Sequence, residues 1–107
     1  MEFSVTPREF VEPLKRLLPH PPRLKLGLRG GLAVKLTAEG DALDLAGQFE
    51  NVWSIPAQVK SAGSCVVDIK TLIVKLKTYD QKNPLTFVLE PDGLKFGTTK
   101  LKLHKPW

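Results

Sequence analysis

Residues 64–79 constrain the fold more than any other stretch of this chain, because the spacing of their apolar residues changes from that of a strand to that of a helix. The stretch opens with the apolar run 65–67, which is typical of a β-strand, and then adopts the spacing i, i+3, i+4, i+7 of an amphipathic helix. The helical stripe consists of Ile69, Leu72, Ile73 and Leu76. Asp68 stands at the N-cap position, where a carboxylate accepts a bond from a backbone N–H. The stretch therefore predicts a strand that leads directly into a helix.

A second strand–helix unit is predicted at the N-terminus. Residues 2–5 alternate as a short strand, and Thr6, Pro7 and Glu9 then form a capping box with proline at the first helical position. The apolar stripe of this helix consists of Phe10, Val11, Leu14, Leu17 and Leu18. The proline-rich segment 19–22 (PHPP) predicts that the helix ends there.

The remaining apolar residues follow a period of two. Between the helices this predicts strands over 24–28, 32–36, 43–47 and 52–59, with Pro56 favouring an edge position or a bulge in the last of them. After the second helix, strands are predicted at 85–89 and 94–96, joined by a turn at 91–93, and again around Leu101 and Leu103. The order β-α-βββ-β-α-βββ describes two similar halves. It predicts an α+β domain, spanning 1–107, with two helices packed on one face of an antiparallel sheet.

The charge balance indicates a polyanionic partner. The 107 residues carry 16 lysines and arginines against 11 acidic residues, which gives a net charge of +5. Both predicted helices are basic away from their stripes; the residues concerned are Lys15, Arg16, Lys70, Lys75 and Lys77. A single charged helix is most often a solvated face. Two basic helices side by side would instead form one positive surface, and nucleic acid is the commonest partner of such a surface.

The residues that catalysis needs are scarce. His20 and His104 each lie near proline in a predicted loop or tail, and Cys65 lies within a strand. No set of nucleophile and base can be assembled from them, and a metal site would require more histidine or cysteine. We therefore expect no enzyme activity, no metal and no cofactor. The lone cysteine, the absence of a signal peptide and the absence of an apolar run of about 20 residues predict a cytoplasmic protein without a membrane partner.

Several segments, in order, resemble the bacterial DNA sliding clamp, the DNA polymerase III beta-subunit family. Residues 1–17 (MEFSVTPREFVEPLKRL) resemble its opening, residues 43–49 (LDLAGQF) one of its strands, and residues 66–76 (VVDIKTLIVKL) the entry to its second helix. Residues 85–90 (LTFVLE) and 93–103 (GLKFGTTKLKL) resemble its closing hairpin and strand. The resemblance therefore spans nearly the whole chain and is to a single clamp domain, the first.

The resemblance implies a ring protein that encircles duplex DNA. In that family each domain contributes two helices to the inside of the ring and its sheets to the outside. This implies double-stranded DNA, bound without sequence preference, as the partner. The implied DNA-contacting residues are Lys15, Arg16, Arg23, Lys70, Lys75 and Lys77. Arg23 corresponds to an arginine that the family carries in the loop after the first helix. Family chains hold three tandem domains and are usually acidic, whereas this chain provides one domain and is basic.

Two functions from different classes follow from these observations. The first is a clamp-like module that associates with duplex DNA in replication or repair, with possible assembly of several copies into a ring. The second is a protein-interaction module that binds or blocks a replicative clamp, a polymerase or another clamp-associated protein by adding an edge strand to its sheet. Salt-dependent duplex binding would distinguish the first from the second.

Overall fold

The computed structural model describes residues 1–17, 33–47 and 52–103, and contains two helices and nine strands in those ranges. The first half consists of β1 (Glu2–Val5), α1 (Pro7–Leu17), β2 (Ala33–Glu39), β3 (Ala42–Gly47) and β4 (Val52–Pro56). The second consists of β5 (Gln58–Ser61), β6 (Gly63–Asp68), α2 (Ile69–Leu76), β7 (Leu85–Glu90), β8 (Gly93–Phe96) and β9 (Thr99–Lys102).

Both helices begin at the residues that the sequence predicts. The Thr6 hydroxyl oxygen accepts the backbone N–H of Glu9 at 3.3 Å and donates to the Glu9 carboxylate at 2.7 Å. At the start of α2, the Asp68 carboxylate accepts both the backbone N–H and the hydroxyl of Thr71, at 2.9 and 2.8 Å. These bonds satisfy N–H groups that have no partner within the helix. The N-caps are therefore local features that the sequence alone specifies.

The second helix ends at Leu76, the last residue of its apolar stripe. Lys77 is the C-cap, and residues 78 and 79 form a turn instead of continuing the helix. The side-chain amide of Gln81 donates to the carbonyl oxygens of Leu76 and Tyr79 at 2.9 and 2.7 Å. The carbonyl of Leu76 also accepts the backbone N–H of Tyr79 at 3.2 Å, so the glutamine and this turn together stabilise the end of the helix.

The α+β class is confirmed, but the strands form two antiparallel sheets instead of one. One sheet has the strand order β5-β1-β7-β8-β9 and the other has the order β4-β3-β2-β6. The predicted strand over 52–59 is the place where the two sheets part. It is divided at Ala57 into β4 and β5, which belong to different sheets. Pro56 has no backbone N–H and cannot donate a hydrogen bond at this point. The next residue, Ala57, donates its N–H to the carbonyl oxygen of Asp41 at 3.0 Å.

The two halves exchange one strand each. β1 begins the first half but pairs with β7 of the second, in the register Phe3 with Phe87. β6 belongs to the second half but pairs with β2 of the first, in the register Leu36 with Cys65. Each helix therefore follows a strand of one sheet and precedes a strand of the other. This arrangement makes the two halves one folding unit, because neither sheet is complete without the other half.

The core is a single apolar cluster that both helices and both sheets share. Phe3 stacks on Phe87 with ring centroids 4.9 Å apart, and Phe10 of α1 meets Phe87 edge-on at 5.3 Å. Leu72 and Leu76 of α2 are fully buried in the same cluster. The predicted stripes of both helices are therefore confirmed as core residues wherever the structure describes them. No buried side-chain polar atom of the described residues lacks a hydrogen-bond partner.

Tyr79 fastens the end of α2 to the turn between β8 and β9. Its hydroxyl lies 2.7 Å from the Thr99 hydroxyl and 3.2 Å from the carbonyl oxygen of Phe96, and it accepts the N–H of Thr98 at 3.1 Å. Hydrogen bonds from the side chains of Thr98 and Thr99 lower the pKa of Tyr79 from its ordinary value. The ring packs on Gly97, whose φ of +57° is a conformation that glycine adopts without strain.

Three predictions fall outside the described residues. These are the strand over 24–28, the proline-rich loop 19–22 with its neighbour Arg23, and the terminal residues 104–107, which include His104.

Replacement of Leu76 by alanine should lower the free energy of unfolding by about 2–5 kcal/mol, because it removes fully buried methyl groups and leaves a cavity. Val74→Ala is the matched control on the same helix, since Val74 is 61% exposed. We expect the control to change stability by less than about 0.5 kcal/mol. Denaturant unfolding followed by circular dichroism measures both. Equal effects of the two substitutions would contradict the assigned core face of α2.

Candidate nucleic-acid interface

The outer face of α2 is basic and has no acidic residue. Lys70, Lys75 and Lys77 are all exposed, while the four stripe residues of the same helix are buried. Lys70 and Lys77 lie seven residues apart on one flank, with the exposed Val74 between them, and Lys75 lies on the opposite flank. The carboxylate of Asp68, before the helix, is engaged in capping it, and that of Asp80, after the helix, accepts bonds from Lys82 and Asn83. The helix therefore presents three cations at its surface without an acidic neighbour on the helix itself.

The last turn of α1 is basic as well. Lys15 and Arg16 are exposed there, next to the C-terminal end of the helix dipole, which favours positive charge. The guanidinium carbon of Arg16 lies 5.6 Å from the ring centroid of Trp53 on β4. A cation at this distance from an indole is attracted to the π-face of the ring. Trp53 therefore holds the Arg16 head group near the edge of the second sheet.

The two helices contact each other, so their basic residues belong to neighbouring elements. The structure describes three ion pairs, Lys60 with Glu2 and Lys100 with both Glu90 and Asp92. None of these involves the basic residues in the last turn of α1 or the three lysines of α2. Glu9 and Glu12 are the exposed acidic residues of α1, and Glu9 is bonded to Thr6. Among the described residues, therefore, no carboxylate forms an ion pair with these helical cations.

The exposed cations of the two helices can contact anionic groups such as phosphates. Exposed lysines on a helix bind anionic oxygens as point charges and have no fixed geometry of their own. The described residues include no group of three or more histidine, cysteine or acidic side chains that could hold a metal ion. Burial raises the pKa of the Cys65 thiol to about 11, so this thiol stays protonated at neutral pH and is a poor nucleophile.

Two exposed apolar side chains beside the basic residues were not predicted from the sequence as part of this surface. Trp53 is 40% exposed and contacts Arg16, and Val74 lies between Lys70 and Lys77. Val74 is predictable from helical geometry, because it falls outside the stripe of α2. The contact between Trp53 and Arg16 is not predictable from the sequence, because the two residues are far apart in the chain. Only the packing of α1 near β4 brings them together. Arg23 lies outside the described residues.

Neither described helix is long and apolar enough to cross a membrane.

Comparison with known proteins gives no match at the level of sequence. Neither a protein-family model nor a curated protein matches this chain. The assignment of the fold therefore depends on comparison of structures.

Solved structures of bacterial sliding clamps match almost the entire chain. The Helicobacter pylori beta clamp bound to a DNA ligase peptide has a TM-score of 0.77 at 15% identity and covers 98% of this chain. The DNA polymerase III subunit beta of Pseudomonas aeruginosa has a TM-score of 0.74 at 20% identity and covers 97%. The polymerase III beta protein of Caulobacter crescentus has a TM-score of 0.71 at 14% identity and covers 96%.

This chain spans only about 30% of the length of those proteins: 31% of the first, 30% of the second and 29% of the third. The match therefore corresponds to about one clamp domain. Identities of 14–20% show a shared fold. The resemblance seen in the sequence is confirmed at that level: the chain has the fold of a single domain of the bacterial DNA polymerase III beta sliding clamp.

Proposed function

We propose that this chain is a non-enzymatic, clamp-like module that associates with duplex DNA through the basic faces of α1 and α2. The proposal treats residues 1–107 as one cytoplasmic module that acts in replication or repair beside polymerase or other clamp-associated proteins. The proposal rests on two features that occur together. The chain has the fold of a clamp domain, and its helices carry exposed lysines and arginines that form no ion pair with a described carboxylate. The proposed contact residues are Lys15, Arg16, Arg23, Lys70, Lys75 and Lys77.

The contact would be made to phosphates and not to base edges. Reading of bases requires side chains that enter a groove in register, usually from one helix or ribbon seated in the major groove. Two helices lying side by side present a broad surface instead, and lysine is flexible and binds as a point charge. Binding energy would come mainly from release of counterions from the duplex, which is independent of base sequence.

The free edges of the sheets support assembly of several copies. Within the described residues, β4 has a strand neighbour on one side only, and so has β9. β4 exposes Val52 and Trp53, and exposed apolar residues on an edge strand favour contact with another protein. The same edges also support the second candidate function, in which the chain binds or blocks a clamp or polymerase by strand addition.

Charge opposes assembly of a complete ring without DNA. A ring of six such domains would carry about +30, because each copy carries +5, and mutual repulsion grows with that charge. Duplex DNA within the ring would neutralise the repulsion. A head-to-tail contact between different edges also closes only if the rotation between neighbouring copies fits a closed ring.

Replacement of Lys70 and Lys77 by glutamate should weaken duplex binding equally for unrelated base sequences. It should also lower the slope of log affinity against log salt by roughly one for each phosphate that the protein no longer neutralises. Fluorescence anisotropy with two labelled duplexes across a salt series measures both quantities.

The matched control is Lys35→Glu with Lys95→Glu. These lysines are exposed on β2 and β8, each between two buried neighbours in its strand. They therefore point away from the core, to the outer surface of the sheets. Both double variants lower the net charge from +5 to +1, so general charge effects are equal. An equal reduction of affinity in the two variants, or none in the helix variant, would contradict the assignment of the DNA-binding face.

We expect the free protein to be a monomer or dimer, with any larger assembly favoured by duplex DNA. Light scattering across a concentration series, with and without duplex, measures this directly. A stable hexamer in the absence of nucleic acid would contradict the charge argument. A strict monomer under all conditions would exclude the ring and leave strand addition to another protein as the better account.

A further inference from the structure

Trp53 is the most exposed aromatic side chain among the described residues, at 40%. In the pairing of β3 with β4 it stands opposite Leu45. Residues that stand opposite each other in paired strands have their side chains on the same face of the sheet. Leu45 is fully buried, so Trp53 lies on the core-facing side of its strand, and α1 contacts both β3 and β4. The indole is therefore exposed beside α1 and not on the outer surface of the sheet.

The indole contacts the guanidinium of Arg16, whose central carbon lies 5.6 Å from the ring centroid. Within the described part of the chain, Arg16 is the one basic side chain with such an aromatic neighbour, and no carboxylate there forms an ion pair with it. A guanidinium has five N–H donors, and attraction to the π-face of one ring leaves most of them accessible. The contact therefore restricts the position of the head group and keeps its donors available.

This restriction favours the binding of an anion. An arginine that is unrestrained in the free protein loses rotamer freedom when it is fixed on a ligand, and this loss weakens binding. The head group of Arg16 has lost part of that freedom already in the folded protein, because the indole holds it. A guanidinium in a fixed position can also donate two parallel hydrogen bonds to two oxygens of one phosphate, whereas a lysine ammonium binds as a point charge.

Arg16 and the lysines of α2 lie at opposite margins of the basic surface that the two helices form. α1 contacts β3 and β4, whereas α2 contacts β6. The strand order of this sheet is β4-β3-β2-β6, so its edge strands are three strand spacings apart, which is roughly 14 Å. A phosphate bound by Arg16 is therefore a separate contact from those made by the lysines of α2, and the effects of substitutions at the two margins should add.

We propose that Trp53 is a positioning residue, which holds the guanidinium of Arg16 for a bidentate contact with one phosphate of the duplex. The proposal rests on the proposed function, since it assumes that the basic faces of the helices bind DNA. It makes Arg16 different from the lysines of the same surface, because its contribution depends on geometry as well as on charge. Substitutions that keep the charge and change the geometry are therefore the decisive ones.

The first test compares arginine with lysine at position 16 by fluorescence anisotropy with a labelled duplex across a salt series. Arg16→Lys keeps the charge, so the slope of log affinity against log salt should not change. The affinity should fall by about three- to tenfold, because one of two hydrogen bonds is lost. The matched control is Arg8→Lys, since Arg8 is exposed in the first turn of the same helix and has no described aromatic contact. We expect the control to change affinity by less than about twofold.

The second test removes the indole. Trp53→Leu should lower duplex affinity by about two- to fivefold, which corresponds to the loss of one exposed cation–π contact. The salt slope should not change, because no charge is removed. Trp53→Phe should retain part of the affinity, since a phenyl ring also attracts a cation but less strongly than an indole. Val52→Ala is the matched control, because Val52 is 65% exposed on the same strand and its side chain points to the other face.

A double-mutant cycle separates positioning from direct contact with DNA. Arg16→Gln should lower the salt slope by roughly one, as expected for the loss of one phosphate contact. If Trp53 acts through Arg16, Trp53→Leu should have no further effect on affinity in the Arg16→Gln background. An equal effect of Trp53→Leu in both backgrounds would show that the indole contacts DNA by itself, and this would overturn the proposal. A thermal melting curve for each variant identifies any failure to fold.

Inorganic phosphate tests the same contact without duplex. The Nε–H resonance of Arg16 should shift when phosphate is added, relative to sodium chloride at equal ionic strength. In Trp53→Leu the same shift should require about two- to fivefold more phosphate. Absence of duplex binding by the unmodified protein would refute the proposed function. Normal duplex binding with equal affinities of Arg16→Lys and Arg8→Lys, or identical phosphate titrations with and without Trp53, would overturn the role of Trp53 alone.

Discussion

The exchange of β1 and β6 between the two halves is the constraint on which the rest of the structure depends. β1 completes the sheet of β7, β8 and β9, and β6 completes the sheet of β2, β3 and β4. Each helix directly follows its exchanged strand, so α1 and α2 are brought to the junction of the two sheets and contact each other there. The stacking of Phe3 on Phe87 and the edge-on contact of Phe10 with Phe87 pack α1 against the sheet that contains β1 and β7. Because these contacts join residues far apart in sequence, their formation closes most of the chain into one unit.

The same exchange explains which surfaces remain free. Each helix turns one stripe to the shared core, and the opposite side of both helices is left to solvent with its lysines and arginines. Each meander also ends in an edge strand, β4 in one sheet and β9 in the other. These two edges differ in chemistry, since β4 exposes Val52 and Trp53 whereas β9 exposes Lys100 and Lys102. The fold therefore separates the basic helical surface from the edges of the two sheets.

The candidate site was predictable from the sequence only in part. The exposure of Lys70, Lys75 and Lys77 follows from the helical period, because the residues of the stripe must be buried and the cations must not. The contact between Arg16 and Trp53 was not predictable, because it depends on how closely α1 packs beside β4.

By itself, the sequence determined the local elements of this protein. Capping side chains such as Thr6 and Asp68 act within one turn, and the hydrophobic period fixes which face of a helix or strand is apolar, so both are written in neighbouring residues. Only the tertiary structure decided which strands pair. A period of two predicts a strand and its buried face but does not show which strand it pairs with. The sequence therefore predicted one sheet where there are two, and one strand over 52–59 where there are β4 and β5. Strand pairing is decided by contacts between distant residues such as Phe3 and Phe87, and these form only when the whole chain has folded.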